Sequence, residues 1–474
     1  MSSVSALNSL LGSTDPANNI NLSNILQAAT GASSSGIDVS AAVSAAVSAA
    51  EAPENAWESQ QTTLQNQTTA LQSLQSDATN LDNDVQAINS LTGPFSAATL
   101  SSSNSNIVSG SAAPGTAAGN SVVVVNSLAS TASYASSAVA NASTDLPAES
   151  ITITPAGGSA TTITTGSGVN TLSDLENAIN AAGTGVTASI ITDASGSRLA
   201  ITSNTSGSAG SFSVSSSGGS FGFTAAGTGA NASLTVNGIP VSSATNTVTG
   251  VLPGVTLNLQ GASPGTEVSI DVAPDTSQAS NAINQFVSDY NTLITAVNSQ
   301  FSDNGSGQGV LADDPTVQTL QSSLLGALNF TATTGSGSST TTTSLASLGI
   351  SVNSDGTLAI DNATLENALQ NNYSTVQSFF QGSALNGFAN SLDQQLTSFL
   401  SPSDGAFTVD LSSISTENTT LQNDIENFQT NIITPLQAQL QTEFSAAEVA
   451  LQQLPNEIKD IDAELGLNNS SSGG

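Results

Sequence analysis

Between Trp57 and Leu91 the apolar residues recur every seven positions. Trp57, Leu64, Leu71, Ala78 and Val85 share one position, and Leu74, Leu81 and Ile88 share its companion. This is an a/d seam, so the segment predicts a long helix that must bury one narrow stripe. Gln60 and Gln67 take the companion position in the first two heptads. They weaken the seam there and suit a device that pins register or oligomer state. The other end of the chain carries a similar pattern. Leu411, Ile414, Leu421, Ile425, Phe428 and Ile432 keep a seven-residue frame interrupted by Asn418, and the frame shifts by one residue near Pro435. A second frame runs through Leu440, Phe444, Ala447, Leu451, Leu454, Ile458, Ile461 and Leu465. Pro435 is expected to kink or break this helix and Pro455 to disturb it locally. Two long amphipathic segments at opposite ends most simply pair with each other. That pairing places both termini at one end and everything between them at the other.

Composition removes most chemistry. Cysteine and histidine are absent, which excludes disulfides, thiol nucleophiles, Cys/His zinc sites and histidine acid–base catalysis. Two basic residues, Arg198 and Lys459, stand against 35 acidic ones, for a formal charge of −33. Nucleic acid is therefore excluded as a partner, because its binding depends on neutralising phosphates, and anionic membrane surfaces are disfavoured. Only 8% of residues are charged, and polarity comes from Ser, Thr, Asn and Gln, so apolar packing and backbone pairing must hold the fold. No window approaches the ~20 apolar residues of a membrane span, so no membrane insertion is expected. The first residues, MSSVSALNSLLGSTDP, lack the basic and apolar regions of a cleaved secretory signal, and export would need another route.

At 474 residues the chain has length for three or four domains. Residues 1–35 are rich in Asn, Ser and Gly and read as flexible or weakly helical. Gly36-Ile37-Asp38-Val39 opens an Ala-rich helix with Val43, Val47 and Ala50 on one face, and Gly93-Pro94 ends the heptad helix. From Phe95 to about Val272 short β-prone runs alternate with Gly, Ser and Asn turns. Among them are 122–125, 151–154, 161–165, 187–192, 198–202, LTVNGIPV and NTVTGVLPGVTLNLQG. One helix, LSDLENAINAA, is capped by Thr171 or Ser173. The pattern turns helical again from Gln278, with Ile283, Phe286, Val287, Tyr290, Leu293, Ile294 and Val297 on one stripe, and then from Thr316 to Leu328. Residues 331–343 read as a mobile Gly/Ser/Thr loop, followed by a hairpin turned at Asn353 to Gly356 and a helix capped by Asp361 or Asn362.

The order GIDVSAAVSAAVSAAEAP, a Gln-rich heptad helix, LTVNGIPV, NTVTGVLPGVTLNLQG, INQFVSDYNTLI, GVLADDPTVQTL, LASLGISVNSDGTLAIDNATLENAL and FSAAEVALQQL resembles the bacterial flagellar filament cap family, hook-associated protein 2. The resemblance runs nearly end to end, and GVTLNL also resembles a β motif of flagellin head domains. It implies an α+β multidomain fold: terminal coiled-coil or bundle legs and a central antiparallel β head of two nested domains. In those terms 1–35 is a flexible export segment, 36–95 the N-terminal helical leg and stalk, and 96–144 plus 224–272 a β head domain. Residues 145–223 form an inserted head domain with one helix, 273–410 a helical domain with a β-hairpin, and 411–474 the C-terminal leg. The implied function is a cap at the distal tip of the filament that helps exported flagellin fold and insert, with no enzymatic activity and no cofactor. The implied partners are further copies of the chain in a ring, flagellin, hook–filament junction proteins, the type III export apparatus and a cytoplasmic export chaperone. Family members usually carry many Lys and Arg, which puts charge-mediated subunit contacts in doubt here. The seam expected to join the legs or copies is Trp57, Leu64, Leu71, Leu74, Leu81, Val85, Ile88, Leu421, Ile425, Phe428, Ile432, Leu440, Phe444, Leu451, Leu454, Ile458 and Ile461.

Other readings compete. Asp303, Asp313, Asp314, Asp355 and Asp361 could be taken for calcium ligands, but no EF-hand spacing accompanies them and solvated loop acids are favoured. Serines are plentiful without any histidine to activate one, and no carboxylate pair stands out for glycoside hydrolysis. Trp57, on the seam, is expected to pack in a core. The acidic bias reads as solubility or as adaptation to acid surroundings, since carboxylates begin to protonate near pH of about 4. Rival functions are another flagellar axial protein, of junction or flagellin type, and a surface adhesin whose Thr-rich head binds glycans.

Overall fold

The computed structural model describes residues 38–464 apart from 220, 304–306, 335–340 and 383–385. The export segment 1–35 and Leu465 thus lie outside the described residues. Helix α1 (Val39–Ala50) starts at Asp38, whose carboxylate accepts the Ala41 N–H at 3.0 Å. Glu51 joins it to α2 (Ala52–Asn89), which has Pro53 in its first turn, where a missing N–H costs no helical bond. A short 3₁₀ turn (Pro94–Ser96) then leads into the β region.

The head is two sandwiches, one inside the other. Strands β1 (Ala98–Ser102), β2 (Val108–Ala112) and β3 (Gly119–Ser127) begin the outer one. The chain leaves it for β4 (Thr131–Ala135), β5 (Ser150–Pro155), β6 (Thr161–Thr164), helix α3 (Leu172–Ala181), β7 (Val186–Asp193), β8 (Gly196–Ser206), β9 (Phe212–Ser216) and β10 (Thr224–Gly227). It returns through β11 (Ala232–Val236), β12 (Ile239–Ser243), β13 (Thr247–Thr249), β14 (Val255–Leu259) and β15 (Val268–Pro274). The outer sheets run β1-β15-β3-β11-β12 and β13-β14-β2, and Val123, Val125, Leu234, Val236, Leu257 and Ile270 share their core. Asn237 (φ +50°) and Gly238 (φ +79°) make the tight turn between β11 and β12, which the Asn-Gly pair signals.

The inner sheets, β10-β4-β8-β7 and β6-β5-β9, bury Ile151, Ile153, Leu199 and Ile201 against α3. Thr171, not Ser173, caps α3 in a reciprocal capping box with Asp174. Because β10 pairs with β4 and β4 with β8, the inner unit runs from β4 to β10 and is wider than the 145–223 read from sequence. No turn signal separates those two strands from their neighbours; only long-range pairing assigns them.

Below the head lies a helical stalk. It contains α4 (Thr276–Phe301), α5 (Pro315–Ala327), the hairpins β16 (Ala332–Thr334) with β17 (Thr341–Thr343) and β18 (Ile350–Val352) with β19 (Leu358–Ile360), and α6 (Asn362–Asn371), α7 (Tyr373–Phe380) and α8 (Phe388–Leu400). The supposed loop 331–343 is therefore paired at its flanks, Ala332 opposite Thr343, while 335–340 lie outside the described residues. All seven residues of the α4 stripe, Ile283 to Val297, are buried. Asn291 holds the second hairpin onto α4, accepting the Leu358 N–H at 2.6 Å and donating to its carbonyl at 2.8 Å.

The stalk core also takes in Leu71, Leu74, Leu81, Val85 and Ile88 of α2, which pack with α4 and α8. This corrects their assignment to a seam with the C-terminal leg. A heptad records that a stripe is apolar and is silent about which helix covers it. At the top of α2, the buried Gln381 side chain donates to the Ile88 carbonyl at 2.8 Å, satisfying a helix-end acceptor, and Phe95 stacks on Phe380 with centroids 5.5 Å apart.

Tyr290 is fully buried in this core and, among the described residues, its hydroxyl has no partner; burial pushes its phenol well above the ordinary value. Replacing it by Phe removes an unpaired polar atom and keeps the ring. Tyr290→Phe is expected to leave stability unchanged or raise it by about 1 kcal/mol, read from the urea midpoint at constant slope.

Candidate assembly interface on the terminal helices

The C-terminal leg is nearly one helix. Helix α9 (Ala406–Phe428) passes into a π-helical turn (Gln429–Ile433) and then α10 (Thr434–Glu464). Pro435 thus neither breaks the helix nor ends it. It cannot donate to the carbonyl one turn back, and the wider turn directly before it absorbs that loss. The extra residue of the π turn also accounts for the one-residue shift of the apolar frame. In consequence Ile433 is buried and Ile432, the residue expected at the seam, is 51% exposed.

The leg runs antiparallel to α1 and the first half of α2. Gln60 donates to Glu417 at 2.8 Å, and Gln61 donates to Gln422 at 3.3 Å. Trp57 meets Phe428 edge to face at 5.5 Å, half-buried, and the Gln429 amide donates to both carboxylate oxygens of buried Glu54, at 2.6 Å to Oε1. Further along, Val43, Ala46 and Val47 of α1 pack on Ile433 and Leu440, with Leu436 and Phe444 beside them. The partner of α10 is therefore α1, while α9 lies against α2. Gln60 does sit at the weak start of the seam, as a polar cross-link to α9. Gln67 instead donates to the Val310 carbonyl at 3.2 Å.

Apart from the exposed Ile432, the seam residues divide into three groups. Leu71, Leu74, Leu81, Val85 and Ile88 belong to the stalk. Leu64, Leu421, Ile425 and Leu440 are buried in the legs, with Trp57, Phe428 and Phe444 half-buried. Leu451, Leu454, Ile458 and Ile461 are 43–53% exposed. Their 3-4-3 spacing is an a/d seam, and α1, which begins at Val39, packs no further along α10 than Phe444. An apolar stripe of this kind marks a surface that associates. Sequence periodicity found these residues, but that no described residue covers them is a tertiary fact.

Three of the acids read as possible cation ligands have local work. Asp314 caps α5 through the Thr316 and Val317 N–H groups, Asp361 rather than Asn362 caps α6, and Asp355 accepts the Thr357 N–H in the β18–β19 turn. The hydrogen bonds hold the Asp355 and Asp361 carboxyls below the ordinary carboxylate value.

Paired terminal helices, a helical stalk and a nested β head, with an apolar stripe that the described residues leave bare, define a multidomain structural protein of α+β architecture. The comparisons identify which. The family model for the flagellar hook-associated protein 2 N-terminus matches residues 35–132 and that for its C-terminus matches 229–456, so the chain belongs to the flagellar hook-associated protein 2 family. The flagellin hook IN motif matches 150–205, in the inner head, rather than the GVTLNL strand β14. B-type flagellar hook-associated protein 2 of Pseudomonas aeruginosa is 29% identical over 406 residues, 77% of this chain and 82% of that protein. Hook-associated protein 2 of Escherichia coli K12 is 34% identical over 138 residues, 27% of this chain and 28% of its own. The crystal structure of the D1-D2-D3 domains of the flagellar cap protein FliD from Escherichia coli aligns with a TM-score of 0.57 at 28% identity, covering 73% of this chain and 99% of that one.

Removing the Glu54 carboxylate strands the Gln429 amide inside the leg contact. Glu54→Ala is expected to cost about 2 kcal/mol and to speed amide exchange in α1 and the start of α10, whereas Glu54→Gln retains one acceptor and costs less. Unchanged exchange in both helices would contradict this role.

Proposed function

We propose that this protein caps the distal end of the bacterial flagellar filament, where copies of the chain form a homo-oligomeric ring that promotes folding and insertion of flagellin arriving beneath it. Membership of the hook-associated protein 2 family supports the cap, and one feature of the chain supports the assembly: the stripe Leu451, Leu454, Ile458 and Ile461 near the end of the leg, which nothing among the described residues covers. Seams of this kind are buried between helices when copies or partners meet. Flagellin and the hook–filament junction proteins are the axial partners such a part meets. Residues 1–35 are the segment addressed to the type III export apparatus and its cytoplasmic chaperone. Among the described residues no helix is long and apolar enough to cross a membrane, in keeping with a part delivered along the filament.

Deletion of the gene is expected to leave hooks without filaments and unassembled flagellin in the medium, seen by electron microscopy and by assay of the culture fluid. Complementation with Leu454→Asp/Ile458→Asp is expected to secrete a folded chain, within about 0.5 kcal/mol of the parent because both sites are exposed, that fails to restore filaments. Filaments of normal length in the deletion strain would overturn the cap; normal filaments with the double variant would overturn the seam alone.

A further inference from the structure

The stalk contains carboxylates that face other carboxylates. On the outer half of α2, Asp82 lies within hydrogen-bonding reach of Asp393 on α8, and Asp84 within reach of Asp289 on α4, which Asp77 also approaches. Asp82 Oδ1 and Asp84 Oδ2 are buried atoms with no donor among the described residues. Two other oxygens of these pairs have neutral partners one turn away: Gln86 donates to Asp82 at 2.7 Å and Gln285 to Asp289 at 3.1 Å. No base answers the acids. Helix α4 presents Asp289 and the partnerless Tyr290, α8 presents Asp393, and α9 adds Asp410, which faces the cap residue Asp314, and Glu417, bonded to Gln60. Helix α1 and the Pro94–Ser96 turn carry no titratable side chain. The chain's two bases are remote from this helix, Arg198 on β8 in the head and Lys459 on the far part of α10.

Two facing carboxylates with a buried, donorless oxygen can be satisfied by one shared proton, and without it they repel. We propose that these pairs are a pH-set clamp on α2: in mildly acidic surroundings each shares a proton and ties α2 to α4 and α8, and at neutral pH and above they repel and loosen the outer half of α2.

Desolvation, then the facing carboxylate, pushes Asp82 up to about 6 and Asp84 up to about 7, and raises Asp77 as well. Between the ordinary value of 3.8 and these values the folded chain holds protons that the unfolded chain has released. Stability therefore rises as pH falls through that window and is lost as pH climbs to neutrality. The exposed acids Asp174, Asp193, Asp355, Asp361 and Asp404 act oppositely. Hydrogen bonds hold them low, so what they contribute is lost only as pH falls below the ordinary carboxylate value. The two sets leave an optimum in mild acid, where the strongly acidic composition is an advantage.

The test is thermal unfolding of the full chain at about pH 5 and about pH 8 at fixed ionic strength, with hydrogen exchange followed on 71–89 and on the head strands. The wild-type midpoint is expected to be higher at the lower pH by roughly 4 °C. Exchange corrected for its intrinsic pH dependence should slow in 71–89 more than in the head. Asp82→Asn/Asp84→Asn supplies an amide donor in place of the shared proton, so the variant at the higher pH should match the wild type at the lower one. A wild-type midpoint that is flat or falls on acidification overturns the clamp, as does a variant that keeps the full pH dependence. If the double variant fails to fold, the wild-type exchange decides: slowing in 71–89 no greater than in the head strands overturns it.

Discussion

Burial of the outer face of α2 is the contact on which the rest of the molecule depends. Leu71, Leu74, Leu81, Val85 and Ile88 each contribute about 1.5–3 kcal/mol of transfer free energy when covered by α4 and α8. The same helix continues downward as the strand of the leg that meets α9 and upward into Phe95 and the first strand of the head. One rigid element therefore sets the relation of leg, stalk and head. The cost of so long a buried stripe is that any polar group beside it must be answered from the facing helices. For Asp82 and Asp84 that answer is another acid.

With two bases in the whole chain, ion pairs cannot organise this fold, and its polar contacts fall to side-chain amides, hydroxyls and capping carboxylates. Asp38, Asp275, Asp314 and Asp361 each accept backbone N–H groups at the start of a helix. Such bonds are local and form wherever the chain places an acid ahead of a helical run. Asn and Gln work over longer range. Asn291, Asn246, Gln377 and Gln381 bond to backbone groups of distant segments, and Gln429 clasps Glu54 across the legs. The amide-to-backbone cross-links, uncharged on both sides, keep their strength in salt. The far end of α10 differs in kind, since nothing in the described chain covers its apolar stripe. Its exposure marks the limit of what the described chain covers by itself.

The helices, their caps and most strands were legible because each rests on local chemistry. Thr171 with Asp174, Asp361 ahead of α6, Asn237-Gly238 between strands and the α4 stripe are all written within a few residues of where they act. The two-ended heptad pattern likewise settled that long helices flank a β region. What could not be read was partnership. The seam of α2 divides between stalk and leg, α10 pairs with α1, Ile433 replaces Ile432 because a π turn adds one residue, and β4 and β10 belong to the inner head. Periodicity and turn chemistry are properties of neighbouring residues, so the sequence by itself determined which faces must be buried. Which face covers which, and which stripe stays bare, was decided only by the tertiary structure, because that choice depends on packing between segments hundreds of residues apart.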